Sequence, residues 1–207
     1  MNISIILGHP AKGSFNHAIA ETVRDAMSGK GYKIFYHDLY AEKFDPVLPD
    51  GETLKSGAIA PNIQRYCNEI AGSNVIIIVH PNWWGQPPAI LKGWVDRILR
   101  PGVAYKFQES DSGEGIPIGL LKAKAAIVFN TSNTPLEREQ NVFGDPLEQL
   151  WKKCIFDLCG VNKFYRKVYS VVCTSTPEQR KAWLKDVREV VSITILEKLQ
   201  DENSRES

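Results

Sequence analysis

The run Asn74-Val-Ile-Ile-Ile-Val-His-Pro81 constrains this chain more than any other stretch. Its central residues are all β-branched and apolar, with no polar position alternating between them. A strand of that kind has both faces buried, and a sheet built of such strands needs cover on both sides. NISIILG (Asn2–Gly8) and AKAAIVFNTS (Ala123–Ser132) repeat the pattern. YKIFYHDLY (Tyr32–Tyr40) and KFYRKVYSVV (Lys163–Val172) read as two further strands.

Helical periodicity fills the intervals. Phe15, Ala18, Ile19, Thr22, Val23 and Ala26 recur at helical spacing, and Gly29 and Gly31 end that run. Ile63 to Ile70 reads as a second helix. Pro88 stands where a first helical turn tolerates it, ahead of an apolar face of Ile90, Leu91, Trp94, Val95, Ile98 and Leu99. Pro146 to Cys159 reads as a helix with Leu147, Leu150, Trp151, Cys154, Ile155 and Leu158 on one face, and Pro177 opens a last helix reaching about Leu199. Strands alternating with helices imply an α/β fold: a doubly wound, five-stranded parallel sheet with helices on both faces. The expected organisation is a single domain over residues 1–199 and a polar C-terminal tail over 200–207. Gln108 to Gly119 reads as a long loop, a length associated with function or disorder.

A formal net charge of +1 provides no field to gather nucleic acid or an anionic membrane. No apolar run reaches the roughly 18 residues of a membrane helix, and the N-terminus has no basic region typical of a signal peptide. Cys67, Cys154, Cys159 and Cys173 form no CxxC and have no histidine at zinc spacing, so reduced cysteines in a cytoplasmic protein without a metal are expected.

Ligands of open α/β sheets bind beyond the carboxyl ends of the strands. Three such ends stand out: GHPAKGSFNHA, HPNWWGQPP and NTSNTP. The first contains neither GxGxxG nor GxxxxGK[ST], which argues against the dinucleotide fingerprint and the nucleotide triphosphatase loop. It does place Ser14, Phe15 and Asn16 at a helix start. Free backbone N–H groups there suit a phosphate, yet Ser14 or Asn16 equally suits a plain helix cap. In the second, Trp83 and Trp84 lie beyond the buried run, and Gly85 permits a turn other residues resist. An aromatic wall beside exposed backbone donors suits a flat heteroaromatic ligand. If the segment is extended, adjacent tryptophans point opposite ways and at least one faces the cleft. His9 stands beside the first loop, and His80 at the end of the third strand is expected to be partly buried. His17 and His37 read as bystanders, and Trp94 as core or interface.

Taken in chain order, HPAKGSFNHA, HPNWWGQPPAILKGWVDRILRPGVAY, NTSNTP and FGDPLEQLWKKCIFDLCG resemble the flavodoxin-like NAD(P)H:quinone oxidoreductases, their short bacterial members in particular. The resemblance implies a flavodoxin-like sheet, a homodimer with active sites at the interface, and a flavin at the strand ends. FMN is expected ahead of FAD, because the chain lacks the C-terminal extension of the animal enzymes. NAD(P)H would donate a hydride, and a quinone or another flat acceptor would take two electrons. Carried over by position, Ser14, Phe15 and Asn16 belong to the flavin-phosphate loop, with the cofactor-binding candidate His9 just ahead of them. Pro81, Asn82, Trp83, Trp84 and Gly85 belong to the loop along the ring, and Asn130, Thr131, Ser132, Asn133 and Thr134 to the loop at its other edge. Backbone N–H groups of Trp83–Gly85 and of the NTSN loop would steady charge on the ring. Trp84, with Tyr105 and Phe107 from the other subunit, would form the substrate slot. The best-known members differ in having a Thr-Thr-Gly-Gly-like loop where this chain has NTSN, and a Tyr and a His where alignment on Gly144-Asp145 places Glu137 and Phe143. The rival readings are an azo- or nitroreductase and a flavodoxin-like regulatory subunit with weak turnover.

Overall fold

The structure is a computed structural model that describes residues 1–53, 58–108, 115 and 117–203. Its centre is a sheet of β1 (Asn2–Leu7), β2 (Lys33–Asp38), β3 (Val75–Pro81), β6 (Ala125–Ser132) and β7 (Lys163–Ser170). The spatial order is β2-β1-β3-β6-β7 and all pairs are parallel. Every residue of β3 and of β6 is buried, as continuous apolar runs require.

Alternation sorts the core into two layers. Ile3, Ile5, Leu7, Val75, Ile77, Val79, Ile127 and Phe129 pack with α1 (Phe15–Met27) and α7 (Pro177–Asn203). Ile6, Ile76, Ile78, Ala126 and Val128 face the other way, against α3 (Pro61–Gly72), α4 (Ala89–Ile98) and the chain following Pro146. Trp94, with 1% exposure, is core. The helix α7 runs as far as Asn203, so the first residues of the expected tail are helical, and 204–207 lie outside the described residues.

Four features depart from the sequence reading. A one-turn helix α2 (Asp50–Thr53) precedes α3, and α5 (Leu136–Asn141) follows β6. The mouth of the expected Gln108–Gly119 loop is closed by a ribbon, β4 (Tyr105–Lys106) against β5 (Ile118–Gly119), while residues 109–114 and 116 lie outside the described residues. The expected helix from Pro146 to Cys159 begins as α6 (Pro146–Glu148) and then widens into a π-helix over Gln149–Phe156. That winding changes which residues face inward. Leu147, Trp151, Ile155 and Phe156 are buried, whereas Cys154 is exposed.

Among the described residues, no helix is long and apolar enough to cross a membrane, and no cluster of His, Cys, Asp and Glu could hold a metal ion.

Candidate functional site

The ends of β1, β3 and β6 meet at one cavity of about 810 Å³, within the size range of small-molecule sites. His9, Ser14, Phe15, Asn16, Pro81, Asn82, Trp83, Trp84, Gly85, Thr131, Ser132 and Asn133 all line it. Thr134 and Phe143, which the resemblance also brings to this region, line it too, as do Glu139, Cys173 and Arg180, none of which the sequence reading placed in the site.

The first wall is the start of α1. Ser14 caps the helix, its hydroxyl accepting from the His17 N–H at 3.4 Å, and it also lines the cavity, so the two readings of Ser14 hold together. Phe15 turns its ring inward against Trp183 (5.6 Å between centroids) and Tyr169 (6.2 Å). What Phe15 offers a ligand is therefore its backbone N–H, one of the helix-start donors without an intrahelical partner. Asn16 is 3% exposed and donates through Nδ2 to Thr131 Oγ1 at 2.9 Å, tying α1 to the end of β6. Its Oδ1 is buried with no hydrogen-bond partner. An acceptor left in that state costs about 1–3 kcal/mol, a cost relieved by a ligand that brings a donor.

Arg180 stands on the same side, three residues before the Trp183 that Phe15 packs on. Its Nε donates to Ser175 Oγ at 2.8 Å and its Nη2 to the Val172 carbonyl at 3.1 Å, so the guanidinium is held at the cavity. An arginine in the first turn after Pro177 was the one signal available in the sequence. His9 lies between the first two walls, its ring 6.2 Å from Trp83 and 6.1 Å from His17. Its Nδ1 accepts the Ala11 N–H at 3.1 Å, and burial pushes its pKa below the ordinary 6.5.

The second wall is a tight turn rather than an extended segment. Trp83 and Gln86 exchange both backbone hydrogen bonds at 3.0 Å, and the residues between them, Trp84 and Gly85, have φ of 57° and 70°. Two left-handed residues in succession make the mirror-image hairpin turn that normally selects Asn-Gly. Trp84 holds that backbone conformation with its indole fully exposed to solvent. Both tryptophans line the cavity because the turn curls around it, and the opposite-sides argument does not apply. Gly85 N–H is taken by Asn82 Oδ1 at 2.9 Å, and Trp83 N–H by Gln86. Of the backbone donors expected in this loop, only that of Trp84 is left for a ligand. Asn82 Nδ2 in turn donates to Glu139 Oε1 at 2.8 Å. Glu139, 2% exposed, is thus the α5 carboxylate at the cavity, and the position given by alignment, Glu137, is not. Phe143 does line the cavity, 49% exposed.

The third wall is the end of β6, and here one expectation fails. Asn130 is wholly buried and does not line the cavity. It pairs with His80 across the β3–β6 ladder, so both side chains project to the face opposite Thr131. Asn130 Nδ2 donates to His80 Nε2 at 2.8 Å, and its Oδ1 accepts from Arg166 Nε at 2.6 Å. It supports the wall from behind. In the loop beyond, Thr134 N–H is taken by Ser132 Oγ at 3.0 Å, and Asn133 Oδ1 accepts from the Cys173 N–H at 3.0 Å.

His80, read as partly buried, is wholly so. Its Nε2 also accepts from Trp151 Nε1 at 2.9 Å, and its Nδ1 donates to the Pro81 carbonyl at 2.8 Å. A ring nitrogen that accepts twice carries no proton, so the imidazole is neutral. Burial, opposed by the Pro81 bond and aided by nearby Arg166, lowers its pKa to about 3. The unfolded chain protonates this histidine near 6.5, which the fold prevents. Stability from His80 is therefore complete above about pH 6.5 and is lost as pH falls towards 3, at about 1.4 kcal/mol per unit. Urea titrations should show the stability gap between the native chain and His80→Asn narrowing by about 2 kcal/mol between pH 7.5 and pH 5. A gap that does not change with pH would contradict a neutral buried imidazole.

Tyr105 and Phe107 are not part of this cavity. Their rings pack edge to face at 5.8 Å and line a second one, of about 390 Å³, with Val95, Leu99, Cys154 and Leu158.

Residues 1–191 match the flavodoxin-like fold family. A Haemophilus influenzae protein named as an NAD(P)H oxidoreductase is 31% identical over 188 residues, covering 89% of this chain and 91% of its own. Rat NAD(P)H dehydrogenase [quinone] 1 is 28% identical over 198 residues, covering 85% of this chain and 71% of its own. The crystal structure of Smu.1420 from Streptococcus mutans superimposes with a TM-score of 0.79 at 30% identity, over 92% of this chain and 98% of that one. A five-stranded parallel sheet with its cavity at the strand ends, and relatives matched along nearly its whole length, place this chain in the flavodoxin-like family of NAD(P)H oxidoreductases.

Proposed function

We propose that this protein is a flavin-dependent NAD(P)H:quinone oxidoreductase that holds FMN in the larger cavity. The observation that carries the reading is the unpartnered Asn16 Oδ1 between two other kinds of wall. The α1 start and Arg180 suit an anion. Asn16 Oδ1 needs a hydroxyl or N–H donor. Trp83, Trp84 and Phe143 suit a flat ring. A phosphate joined through a polyhydroxyl chain to a planar heterocycle satisfies all three, and FMN is such a molecule. FAD extends the same chemistry by an adenylate.

Bound there, the flavin would supply hydride transfer from NAD(P)H to the acceptor. The protein's own contributions are positional. The Glu139–Asn82–Gly85 chain of hydrogen bonds fixes the Trp83–Gln86 turn, and the Asn16–Thr131 bond fixes the distance between the phosphate wall and the ring wall. The exposed indole of Trp84 offers a surface against which a flat acceptor can stack. Tyr105, Phe107 and the second cavity would complete the slot from a partner subunit in a homodimer. Support for this is that Phe107 leaves 40% of its surface exposed at that cavity.

Titrating apo-protein with FMN and with FAD, then measuring NADH and NADPH oxidation with a simple quinone, tests the reading. Stoichiometric FMN uptake and quinone-dependent nicotinamide oxidation are expected. A colourless protein that ignores added flavin would overturn it.

A further inference from the structure

Behind the phosphate wall lies a chain of three polar side chains, which joins Ser14 to His17, read from the sequence as a bystander, and to Asp38. Ser14 Oγ is 2.8 Å from His17 Nδ1, and His17 Nε2 is 3.1 Å from Asp38 Oδ2. Asp38 stands at the end of β2, and its other oxygen accepts the N–H groups of Tyr40 and Ala41 at 3.2 and 3.1 Å. The ring of His17 is 8% exposed, so Ser14 carries this chain to the cavity.

A carboxylate can only accept, so His17 Nε2 carries a proton. The state of Nδ1 then decides what Ser14 shows to a ligand. With Nδ1 bare, the Ser14 hydroxyl hydrogen points back at the ring, and only oxygen lone pairs face the cavity. Those repel a phosphate oxygen. With Nδ1 protonated, the ring donates to Ser14 Oγ. The serine hydrogen is released towards the cavity, and the imidazolium adds a positive charge behind it, balanced by Asp38.

We infer that His17 is the positioning residue that selects a phosphate monoester here, binding one proton as the monoester dianion binds. The inference rests on the flavin reading and deepens it. The proton comes from solvent and goes to His17 Nδ1, no covalent bond to the ligand forms, and the serine hydrogen turns from the ring to the phosphate. A monoester carries close to two charges above its second pKa of about 6, whereas each phosphate of the FAD pyrophosphate, with one ester and one anhydride bond, carries one. The same device therefore favours FMN over FAD. The other groups facing His17 are few. Asp38 from β2 pairs with it directly, with Tyr36 of the same strand beside that carboxylate. His9, from the loop after β1, lies 6.1 Å away between centroids, and burial lowers its pKa. Arg180 from α7 faces the cavity with a charge that does not titrate.

The test is calorimetric titration of apo-protein with FMN at about pH 7.5, where the phosphate is already dianionic, in two buffers of different ionisation enthalpy. The native protein should take up protons as it binds FMN, and its affinity should fall as pH rises above that point. His17→Gln should take up none and should show a narrower preference for FMN over FAD. Riboflavin, which lacks the phosphate, should bind the native protein without proton uptake. No proton uptake by the native protein would overturn the inference while leaving the flavin reading intact. So would equal uptake by His17→Gln. No FMN binding at any pH would overturn both.

Discussion

Arg166→Ala should cost this protein about 3–5 kcal/mol of folding free energy, the usual result of breaking a buried ion pair from one side. The Arg166 side chain is 5% exposed. It donates to Asn130 Oδ1 at 2.6 Å and to Asp145 Oδ2 at 2.8 Å, with Glu148 Oε2 at 3.5 Å. Its removal strands the Asp145 carboxylate, 16% exposed, and a wholly buried amide oxygen. The loss follows from what is left behind. Removing both charges in Arg166→Met with Asp145→Asn should therefore cost less than Arg166→Ala alone. Urea denaturation of the three proteins checks this, and an Arg166→Ala protein within 1 kcal/mol of native would show the guanidinium to be dispensable. The effect should reach the cavity as well. Asp145 has a left-handed backbone with φ of 49° and precedes Pro146, which lines the cavity.

Gly85→Ala should lower flavin affinity by at least about tenfold and cost about 1–2 kcal/mol of folding free energy. Two costs coincide at this residue. Its φ of 70° is a conformation that costs a residue with a side chain about 1–2 kcal/mol. A methyl group there would also lie 2.8 Å from Pro146 Cγ. The turn or Pro146 must shift, and both are cavity walls. Quenching of flavin fluorescence measures the affinity. Native affinity in Gly85→Ala would mean that the turn does not touch the ligand.

The parallel sheet covered on both faces was legible because β3 and β6 are apolar on both faces, which leaves few folds open. The site was legible where a residue type is costly unless used, as with two tryptophans beyond a buried strand. Asn130 falls outside the cavity because a strand end has two faces, and neighbouring residues take opposite ones. Its register with His80 sends it to the α4 side, whereas Thr131 beside it faces Asn16. The π-helix was hidden because its hydrogen-bond pattern has no residue signature, and an ordinary helical period left Phe156 out of the buried face. Glu139 and Arg180 were missed for a related reason. Each is one polar residue among several on a short helix or first turn, and only packing decides which of them faces inward. Ser14, His17 and Asp38 come from different segments, and nothing in the spacing of Ser14 and His17 announces that a carboxylate from β2 completes the chain.

A crystal structure determined with excess FMN tests the central claim most directly. The phosphate should lie against the N–H groups at the start of α1, a ribityl hydroxyl within hydrogen-bond distance of Asn16 Oδ1, and the ring between the Trp83–Gln86 turn and residues 131–134. FMN bound elsewhere, or a cavity left empty by a saturating ligand, would contradict it.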